Sequence, residues 1–252
     1  MLKALLFGAI GTLAETSDMQ RRAFNAAFKE EGLDWRWDEA LYRNLLEVSG
    51  GKNRIRHYSQ EHDADNETVS EDKITALHSR KTELYNEMLA QGELKLRPGV
   101  ARLIAEAKAQ GIKLGLASAT SKNNIDAIAG AAGDTLKLED FSAVMNADKV
   151  KEGRPAPDVY ETCLKELGVD AADAVAIEDT TISVQSAKNA GLVCVATPGK
   201  YTSAQDFSHA DAVVGHLGEP DRYVEVVGEP QALPEGFVTL DWLGRLLENR
   251  KS

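Results

Sequence analysis

The chain opens on an unbroken apolar run that is followed by a turn of small residues. Residues 4–7 read Ala-Leu-Leu-Phe, and Gly8 and Gly11 bracket the turn that comes next. Such a run is typical of a strand that is buried on both faces of a parallel sheet. In an open α/β sheet, the loop that leaves the carboxyl end of a central strand holds the ligand. We therefore expect the functional site at this turn.

Residues 15–93 carry helical periodicity and no strand-like stretch. Ser17 and Gln20 have the spacing of a capping box, which predicts a helix that begins there. A longer amphipathic helix is predicted from Ser70, and Lys81 interrupts its apolar stripe. The other members of the stripe are Ile74, Leu77, Leu84, Tyr85 and Met88. This part of the chain is therefore predicted to form an all-helical cap.

Strand-like and helical segments alternate through the rest of the chain. Strands are predicted over residues 112–117, 143–145, 174–177, 192–196 and 212–214, with amphipathic helices between them. Repeated strand–helix units are typical of a doubly wound parallel sheet. The predicted fold class is therefore α/β. A doubly wound parallel sheet forms the core (residues 1–14 and 95–252), and the helical cap (residues 15–94) is inserted into it.

Composition limits the partners that we expect for the protein. Of its 252 residues, 43% are hydrophobic and 27% are charged, and the formal net charge is −11. An acidic chain is a poor partner for nucleic acid or an anionic membrane, because phosphate groups are bound by basic patches. No apolar run approaches the about 18 residues of a membrane span, and the amino terminus lacks a signal-peptide pattern. We expect a cytoplasmic monomer in which Cys163 and Cys194 are buried thiols.

Polar or small residues follow four of the predicted strands. They are the turn at 8–12, Ser118, Arg154, and the pair Glu178 and Asp179. Because the carboxyl ends of parallel strands lie at one edge of a sheet, these groups can meet in one crevice. There, Ser118 and Arg154 would bind phosphate oxygens. The two carboxylates offer hard oxygen ligands for Mg2+.

Each of these groups also has a plainer interpretation when it is taken singly. Ser118 could cap the next helix, and Arg154 could be a solvated loop charge. Glu178 and Asp179 could be an acidic pair at a helix N-terminus. The functional interpretation depends on their occurrence together, each at the end of a strand.

The order and spacing of these groups resemble the haloacid dehalogenase (HAD) superfamily of aspartate-nucleophile phosphatases. FGAIGTLAET stands where the family has a strand followed by Asp-x-Asp-Gly-Thr-Leu, and LASAT with Ser118 matches the second motif. GRPAPD with Arg154, where Lys is usual, matches the third motif, and IEDTTISVQSAKNAG with Glu178 and Asp179 matches the fourth. SGGKNRIRHY, LRPGV and CVATPGKYT resemble the CbbY branch, whose members act on sugar bisphosphates such as xylulose 1,5-bisphosphate. The resemblance implies a HAD-like Rossmannoid core, an Mg2+ cofactor and a small phosphorylated metabolite as ligand.

The departure from the family pattern falls on the opening turn. In the family, the first aspartate attacks phosphorus and ligates Mg2+, and the second protonates the leaving oxygen and then activates water. Gly8 and Ile10 occupy these two positions, and neither side chain can bind a metal or transfer a proton. Loss of acid–base help alone typically costs about 10²–10⁴-fold in rate. The sequence therefore predicts an impaired phosphatase scaffold in which Mg2+ binding is weakened or absent.

Further residues are candidates for contacts to the ligand. Glu15 could act as a weak general base on water, and Thr12 is interpreted as a turn hydroxyl. The basic segment of the cap either reaches a second phosphate or forms a solvated helix face. With the resemblance included, the predicted phosphate and substrate contacts are Gly11, Thr12, Glu15, Lys52, Arg54, Arg56, His57, Ser118, Ala119 and Arg154.

Other hypotheses stay open at this point. The glycine turn faintly resembles a nucleotide-binding loop, but neither G-x-G-x-x-G nor G-x-x-x-x-G-K-[ST] is present, and a helical block replaces the quick βαβ return. Within the HAD interpretation, the chain is either a non-catalytic protein that binds a phosphorylated ligand or an enzyme with altered or residual hydrolase chemistry in the emptied pocket.

Overall fold

The computed structural model describes residues 1–62, 69–91, 94–224 and 233–251. In this part of the chain the strands are β1 (Ala4–Phe7), β2 (Lys113–Ala117), β3 (Ala143–Met145), β4 (Ala174–Glu178), β5 (Val193–Ala196) and β6 (Ala212–Val213). The helices are α1 (Ser17–Glu30), α2 (Glu39–Leu45), α3 (Gly51–His62), α4 (Glu71–Gln91), α5 (Val100–Ala109), α6 (Lys122–Ala132), α7 (Asp158–Leu167), α8 (Thr181–Asn189) and α9 (Leu240–Lys251).

The strands form one parallel sheet in the order β3-β2-β1-β4-β5-β6. β1 pairs with both β2 and β4, and Phe7 lies opposite Leu116 on one side and Ile177 on the other. The strand order reverses at β1, which makes its carboxyl end the topological switch point where ligands bind in such sheets. The predicted α/β class with a doubly wound parallel sheet is confirmed.

The apolar run of β1 serves both faces of the sheet. Successive side chains of a strand point to opposite faces. Leu5 and Phe7 pack in the cluster that holds the apolar faces of α5, α6 and α9. Ala4 and Leu6 pack in the cluster with α7 and α8. A strand covered by helices on both sides cannot carry a polar side chain, which explains why residues 4–7 are uniformly apolar.

Helices α1–α4 lie between β1 and α5 and share an aromatic cluster of their own. Phe24 of α1 packs against Trp37 with the ring centroids 4.6 Å apart. Tyr42 of α2, Ile55 of α3 and Leu77 of α4 belong to the same buried cluster. These helices therefore share an aromatic cluster of their own, while Ala27 of α1 and Leu84 of α4 pack in the cluster of the sheet. The exact division of the chain at 14/15 and 94/95 stays a prediction.

The start of α1 differs from the sequence prediction. Thr16 occupies the N-cap position, and no side chain caps the helix. The Oε1 atom of Gln20 instead accepts a hydrogen bond from Nζ of Lys81. This buried contact engages the Gln20 side chain with α4, away from the start of α1. The predicted capping box is wrong.

Two smaller sequence expectations concern cysteines and membrane spans. Cys163 and Cys194 are both free and buried, as predicted. Among the helices that the structure describes, none is long and apolar enough to cross a bilayer.

Candidate functional site

A pocket with a volume of about 130 Å³ lies between the carboxyl edge of the sheet and helices α1–α4. The sheet-side wall consists of residues from the ends of strands, namely Ala9, Ile10, Ser118, Ala119, Thr120, Arg154, Asp179 and Thr180. The opposite wall consists of residues from the inserted helices, chiefly Gln20, Phe24, Tyr42, Gly50, Gly51, Arg54, His78 and Lys81. Polar groups that follow β2, β3 and β4 therefore meet in one place beside Ala9 and Ile10, which follow β1.

The turn after β1 is packed tightly against the end of β4. The backbone N–H of Gly8 donates to the Ile177 carbonyl at 3.0 Å, and the Thr12 hydroxyl donates to Oδ1 of Asp179 at 3.2 Å. Gly11 has φ +80°, and a Cβ there would lie only 1.8 Å from Oδ2 of Asp179. This position therefore requires glycine for its backbone conformation and for its close approach to a carboxylate.

Glu178 occupies part of the space that a side chain at residue 8 would need. A Cβ on Gly8 would lie 2.5 Å from Oε2 of Glu178 and 2.7 Å from Oγ1 of Thr12. Cβ atoms essentially never approach other heavy atoms so closely, so Glu178 would have to shift for any side chain to fit. The Glu178 carboxylate thus occupies the space beside Gly8.

Arg154 is a buried ion-pair partner rather than an open phosphate fork. Its side chain is 9% exposed, and Nη2 lies 2.6 Å from Oε1 of Glu178, which is 1% exposed. Nη2 also donates to the Ala117 carbonyl at 2.9 Å, and Nη1 donates to Oγ of Ser183. The solvated-charge interpretation of Arg154 is therefore wrong. The guanidinium pairs with Glu178, because a buried guanidinium needs a buried counter-charge, and its predicted contact with phosphate stays a prediction.

The second acidic residue after β4 has a different environment. Asp179 is 6% exposed, and burial together with the neighbouring Glu178 raises the pKa of its carboxyl group to about 8. The nearby Arg97 opposes this shift only in part. Neither carboxylate serves as the N-cap of α8, because the side chain of Thr180 accepts from the Ser183 N–H and fills that role.

Ser118 ends β2 and lines the pocket together with Ala119. Its Oγ accepts a hydrogen bond from the Thr120 N–H at 3.3 Å, and its side chain is almost fully buried. Ser121, not Ser118, precedes α6 at the N-cap position. Ser118 therefore offers its hydroxyl to the pocket instead of capping the helix.

The basic segment of α3 divides between the pocket and the surface. Arg54 lines the pocket, where Nε donates to the Leu45 carbonyl at 2.8 Å and Nη2 to the Val48 carbonyl at 3.1 Å. Lys52 donates to Oγ1 of Thr75, Arg56 pairs with Glu71 at 2.7 Å, and His57 lies 3.3 Å from Glu61. The helical period of 3.6 residues turns these three side chains away from the wall that Arg54 faces. Their predicted ligand contact is therefore corrected for Lys52, Arg56 and His57.

Glu15 also lies outside the pocket wall. It is exposed, and its Oε1 accepts a hydrogen bond from the Ser17 N–H at 3.0 Å. It belongs to the start of α1, where the orphan N–H groups of the first turn attract a carboxylate. Its expected contact with the ligand is corrected to this local role.

Lys81 is the pocket residue that sequence reasoning missed. It is 3% exposed, and its Nζ lies 4.7 Å from the Phe24 ring centroid and 5.2 Å from that of Tyr85. Burial and the neighbouring Arg54 lower the pKa of its amine to about 7. The signal was present, because a lysine that interrupts an apolar helical stripe must either snorkel or serve a buried polar site.

Arg97 was also missed, although it stands in the LRPGV stretch. Its guanidinium donates to the carbonyls of Gly11 and Thr197, to that of Pro198 at 3.0 Å and to that of Gly215 at 2.7 Å. It therefore ties the turn after β1 to the loops after β5 and β6. No spacing rule in the sequence predicts such a hub of backbone contacts.

The residues present do not form a site for the Mg2+ that the resemblance implies. Mg2+ requires near-octahedral oxygen ligands, usually with one or two free carboxylates beside substrate phosphates. In the described ranges there is no group of three or more His, Cys, Asp or Glu side chains that could hold a metal. Glu178 is taken by Arg154 and also by the Tyr160 hydroxyl, and Gly8 supplies no ligand.

The comparisons with known proteins agree with this geometry. A family profile described as haloacid dehalogenase-like hydrolase matches residues 2–191. The chain is 42% identical to Protein CbbY of Cereibacter sphaeroides over 219 residues, which cover 87% of this chain and 94% of the relative. It is 35% identical to the CBBY-like protein of Arabidopsis thaliana over 223 residues, which cover 86% of this chain and 70% of that protein.

Solved structures give the same result. CbbY from Rhodobacter sphaeroides in complex with phosphate superposes with a TM-score of 0.79 at 41% identity, covering 87% of this chain and 96% of the other. An Asp-to-Asn variant of that protein in complex with xylulose-(1,5)bisphosphate superposes with a TM-score of 0.80, at the same identity and coverage. The chain therefore belongs to the haloacid dehalogenase-like hydrolase family and, within it, to the CbbY-like proteins.

Proposed function

We propose that this protein binds a small phosphorylated sugar, a mono- or bisphosphate, and lacks the aspartyl-phosphate chemistry of its family. The observation that carries the proposal is the pair Gly8 and Ile10 at the carboxyl end of β1, beside a pocket that Ser118, Arg154 and Asp179 line with polar groups. The family uses Mg2+ and two aspartates at this turn. Here the turn holds one residue without a side chain and one hydrocarbon.

The two walls of the pocket support binding of an anionic ligand. Arg54 brings a guanidinium from the inserted helices, and Ser118 brings a hydroxyl from the sheet edge. Groups of these types bind phosphate oxygens, and hydrogen bonds to charged groups are the stronger kind. A ligand with polar groups at both ends fits such a pocket better than an apolar one. The relatives in complex with phosphate and with xylulose-(1,5)bisphosphate support the same ligand class.

The absence of the nucleophile argues against turnover by the family mechanism. Covalent catalysis needs an activated carboxylate at the reacting phosphorus, and general acid–base catalysis needs a group that exchanges a proton with the leaving oxygen. Ile10 lines the pocket with a hydrocarbon side chain. The nearest carboxylates are engaged by Thr12 and by Arg154.

Calorimetric titration with xylulose 1,5-bisphosphate and with inorganic phosphate tests this proposal, together with an assay for released phosphate. We expect binding without phosphate release above background. Ser118→Ala, purified in parallel, serves as the control for contaminating phosphatase. Turnover that survives purification and is lost in Ser118→Ala would contradict the non-catalytic part of the proposal, and failure of both ligands to bind would contradict the binding part.

Introducing aspartates at residues 8 and 10 tests whether the reactive site lies at the carboxyl end of β1. The backbone at Gly8 does not have a positive φ, so an aspartate there meets only the steric conflict with Glu178 and Thr12. We expect the double variant Gly8→Asp with Ile10→Asp to hydrolyse a sugar phosphate in the presence of Mg2+. This requires Glu178 to move away from residue 8.

The matched control for this rescue is Gly8→Asn with Ile10→Asn. It adds side chains of the same size without carboxylates, so it should remain inactive. A folded aspartate variant that hydrolyses none of a panel of phosphate esters would mean that the remaining motifs do not form the site described above.

A further inference from the structure

Lys81 has the environment of a nucleophilic amine. It lies within α4, is 3% exposed and lines the pocket. Its hydrogen-bond acceptor is the neutral amide oxygen of Gln20, and no ion pair of the described residues includes it. Its other near neighbours are the rings of Phe24 and Tyr85. A structural lysine at this depth would normally be paired with a carboxylate.

The charged groups around Lys81 also disfavour its protonated form. Arg54, on α3, places a second cation on the same pocket wall, and the residues that α1 contributes to the pocket, Ser17, Gln20 and Phe24, are all uncharged. On α4 itself, burial and then Lys81 lower the pKa of His78 to about 4, so this imidazole is neutral. The phenol of Tyr85 is also neutral, because burial raises its pKa to about 12. Desolvation and a neighbouring cation are the two devices that activate lysine amines for attack on carbonyl groups.

We propose that Lys81 forms an imine with a ligand that carries an aldehyde or ketone as well as a phosphate. This inference rests on the proposed function for the phosphorylated ligand and adds to it the open-chain carbonyl form of the sugar. The product is a reversible covalent complex on the inserted helices, at the opposite wall from Gly8.

The step balances without an oxidant or a reductant. The Nζ lone pair attacks the carbonyl carbon, a C–N bond forms, and the carbonyl oxygen takes up a proton from the amine through water. The hydroxyl of the resulting carbinolamine then takes up the second amine proton through water, its C–O bond breaks, and the oxygen leaves as water while the C=N bond forms. The Nε2 atom of Gln20 is buried and has no hydrogen-bond partner, so it can donate to this oxygen.

Reductive trapping tests the inference on the intact chain. The probe is glycolaldehyde phosphate with sodium cyanoborohydride, which converts an imine into a stable secondary amine. The modified residue is located by peptide mass mapping. We expect Lys81 to be labelled about tenfold or more faster than the exposed Lys52, because burial and the neighbouring Arg54 favour the unprotonated, nucleophilic form of the Lys81 amine.

A second ligand separates this inference from the proposed function. The alcohol analogue 2-hydroxyethyl phosphate carries the phosphate but no carbonyl group, and calorimetry measures its binding. Binding of the analogue without trapping at Lys81 would overturn the imine and leave the proposed function standing. If the analogue does not bind and no product is trapped at Lys81, both the imine and the proposed function are overturned. Labelling of Lys81 no faster than that of Lys52 would also overturn the imine.

Two substitutions give a further test that does not depend on peptide mass mapping of the labelled wild-type protein. Lys81→Arg keeps the positive charge and cannot form an imine, so it should bind the alcohol analogue and lose the trapped product. Lys52→Arg is the matched control on the neighbouring helix and should keep the trapped product at Lys81. A trapped product of unchanged amount in Lys81→Arg would assign the label to another residue and overturn the inference.

Discussion

Single residues at this site show how strongly surroundings determine what a side chain can do. Lys81 has the same side chain as Lys52, yet one is buried against aromatic rings and the other reaches Thr75 at the surface. Arg54 and Arg56 stand two positions apart on α3, and only the first faces the pocket. Each of these pairs offers a test with its own matched control.

Replacing Lys81 by methionine should stabilise the protein at neutral pH. The pKa of Lys81 in the folded chain, about 7, lies below the value of about 10.4 in the unfolded chain. Between these values the unfolded chain binds more protons, so the stability of the wild type rises with pH across this window. Lys81→Met removes this dependence, and we expect a gain on the order of 3 kcal/mol at pH 7. The gain should vanish above the ordinary lysine pKa.

Urea unfolding of both proteins at several pH values measures this difference. Lys52→Met is the control and should change stability little at any pH, because Lys52 is exposed. A Lys81→Met variant that is less stable than wild type at pH 7 would mean that the ammonium is well accommodated where it lies.

Replacing Arg54 by glutamine should weaken binding of a sugar bisphosphate. Hydrogen bonds to charged groups contribute about 1.5–3 kcal/mol, which corresponds to a loss of roughly 10–100-fold in affinity. Arg56→Gln removes an arginine from the same helix and leaves the pocket wall unchanged, so its affinity should equal that of wild type. Calorimetric titration of both variants measures the contrast, and equal losses would indicate a general charge effect.

At the scale of elements, the turn after β1 is held by its neighbours rather than by its own sequence. Arg97 donates to the Gly11 carbonyl, and Thr12 donates to Asp179 at the end of β4. The Gly8 N–H also donates to the Ile177 carbonyl of β4. The conformation of the turn therefore depends on hydrogen bonds to neighbouring elements and on none from an aspartate within the turn.

Gly11→Ala should destabilise the protein by about 1–3 kcal/mol, since positive φ strains any residue with a Cβ. The added methyl would also displace Asp179, whose Oδ2 lies 1.8 Å from the Cβ position. Gly130→Ala is the matched control, because Gly130 lies within α6 and nothing lies near its Cβ position. That change should be neutral or stabilise by up to about 1 kcal/mol. Thermal unfolding of both variants measures the difference, and equal effects would contradict the strain argument.

At the scale of the whole molecule, the sheet and the inserted helices are joined across the pocket by one loop. Tyr201 follows β5 in the chain, yet its ring packs in the aromatic cluster of α1–α4, 5.8 Å from that of Tyr42. Its hydroxyl donates to Asp18 at 2.7 Å and accepts from Arg21. Lys200 pairs with Glu39 at 2.9 Å beside it. These contacts hold the inserted helices against the sheet edge and so maintain the pocket.

Substitutions at Tyr201 should separate its two contributions. Tyr201→Phe keeps the ring and loses the hydrogen bond to Asp18, which should cost about 1 kcal/mol of stability. Tyr201→Ala also empties the cluster and should cost about 3–5 kcal/mol. Chemical denaturation measures both values, and equal costs would mean that the ring packing contributes nothing.

Much of this protein was determined by local pattern. The apolar run at residues 4–7 and the alternation of strands and helices specify a doubly wound sheet, because side-chain period depends on backbone geometry alone. The position of Ser118 and of Asp179 at the pocket follows from the same rule, since parallel strands end at one edge. The absence of a reactive side chain at residues 8 and 10 is likewise readable from the sequence.

Other features were decided only by the tertiary structure. Of the basic residues of α3, Arg54 faces the pocket because of how α3 is rotated against its neighbours. The pairing of Arg154 with Glu178, and of Lys81 with Gln20, joins residues far apart in the chain. A buried charge takes whichever partner the packed elements bring within reach, and that choice is made by burial and long-range packing, which no local spacing encodes.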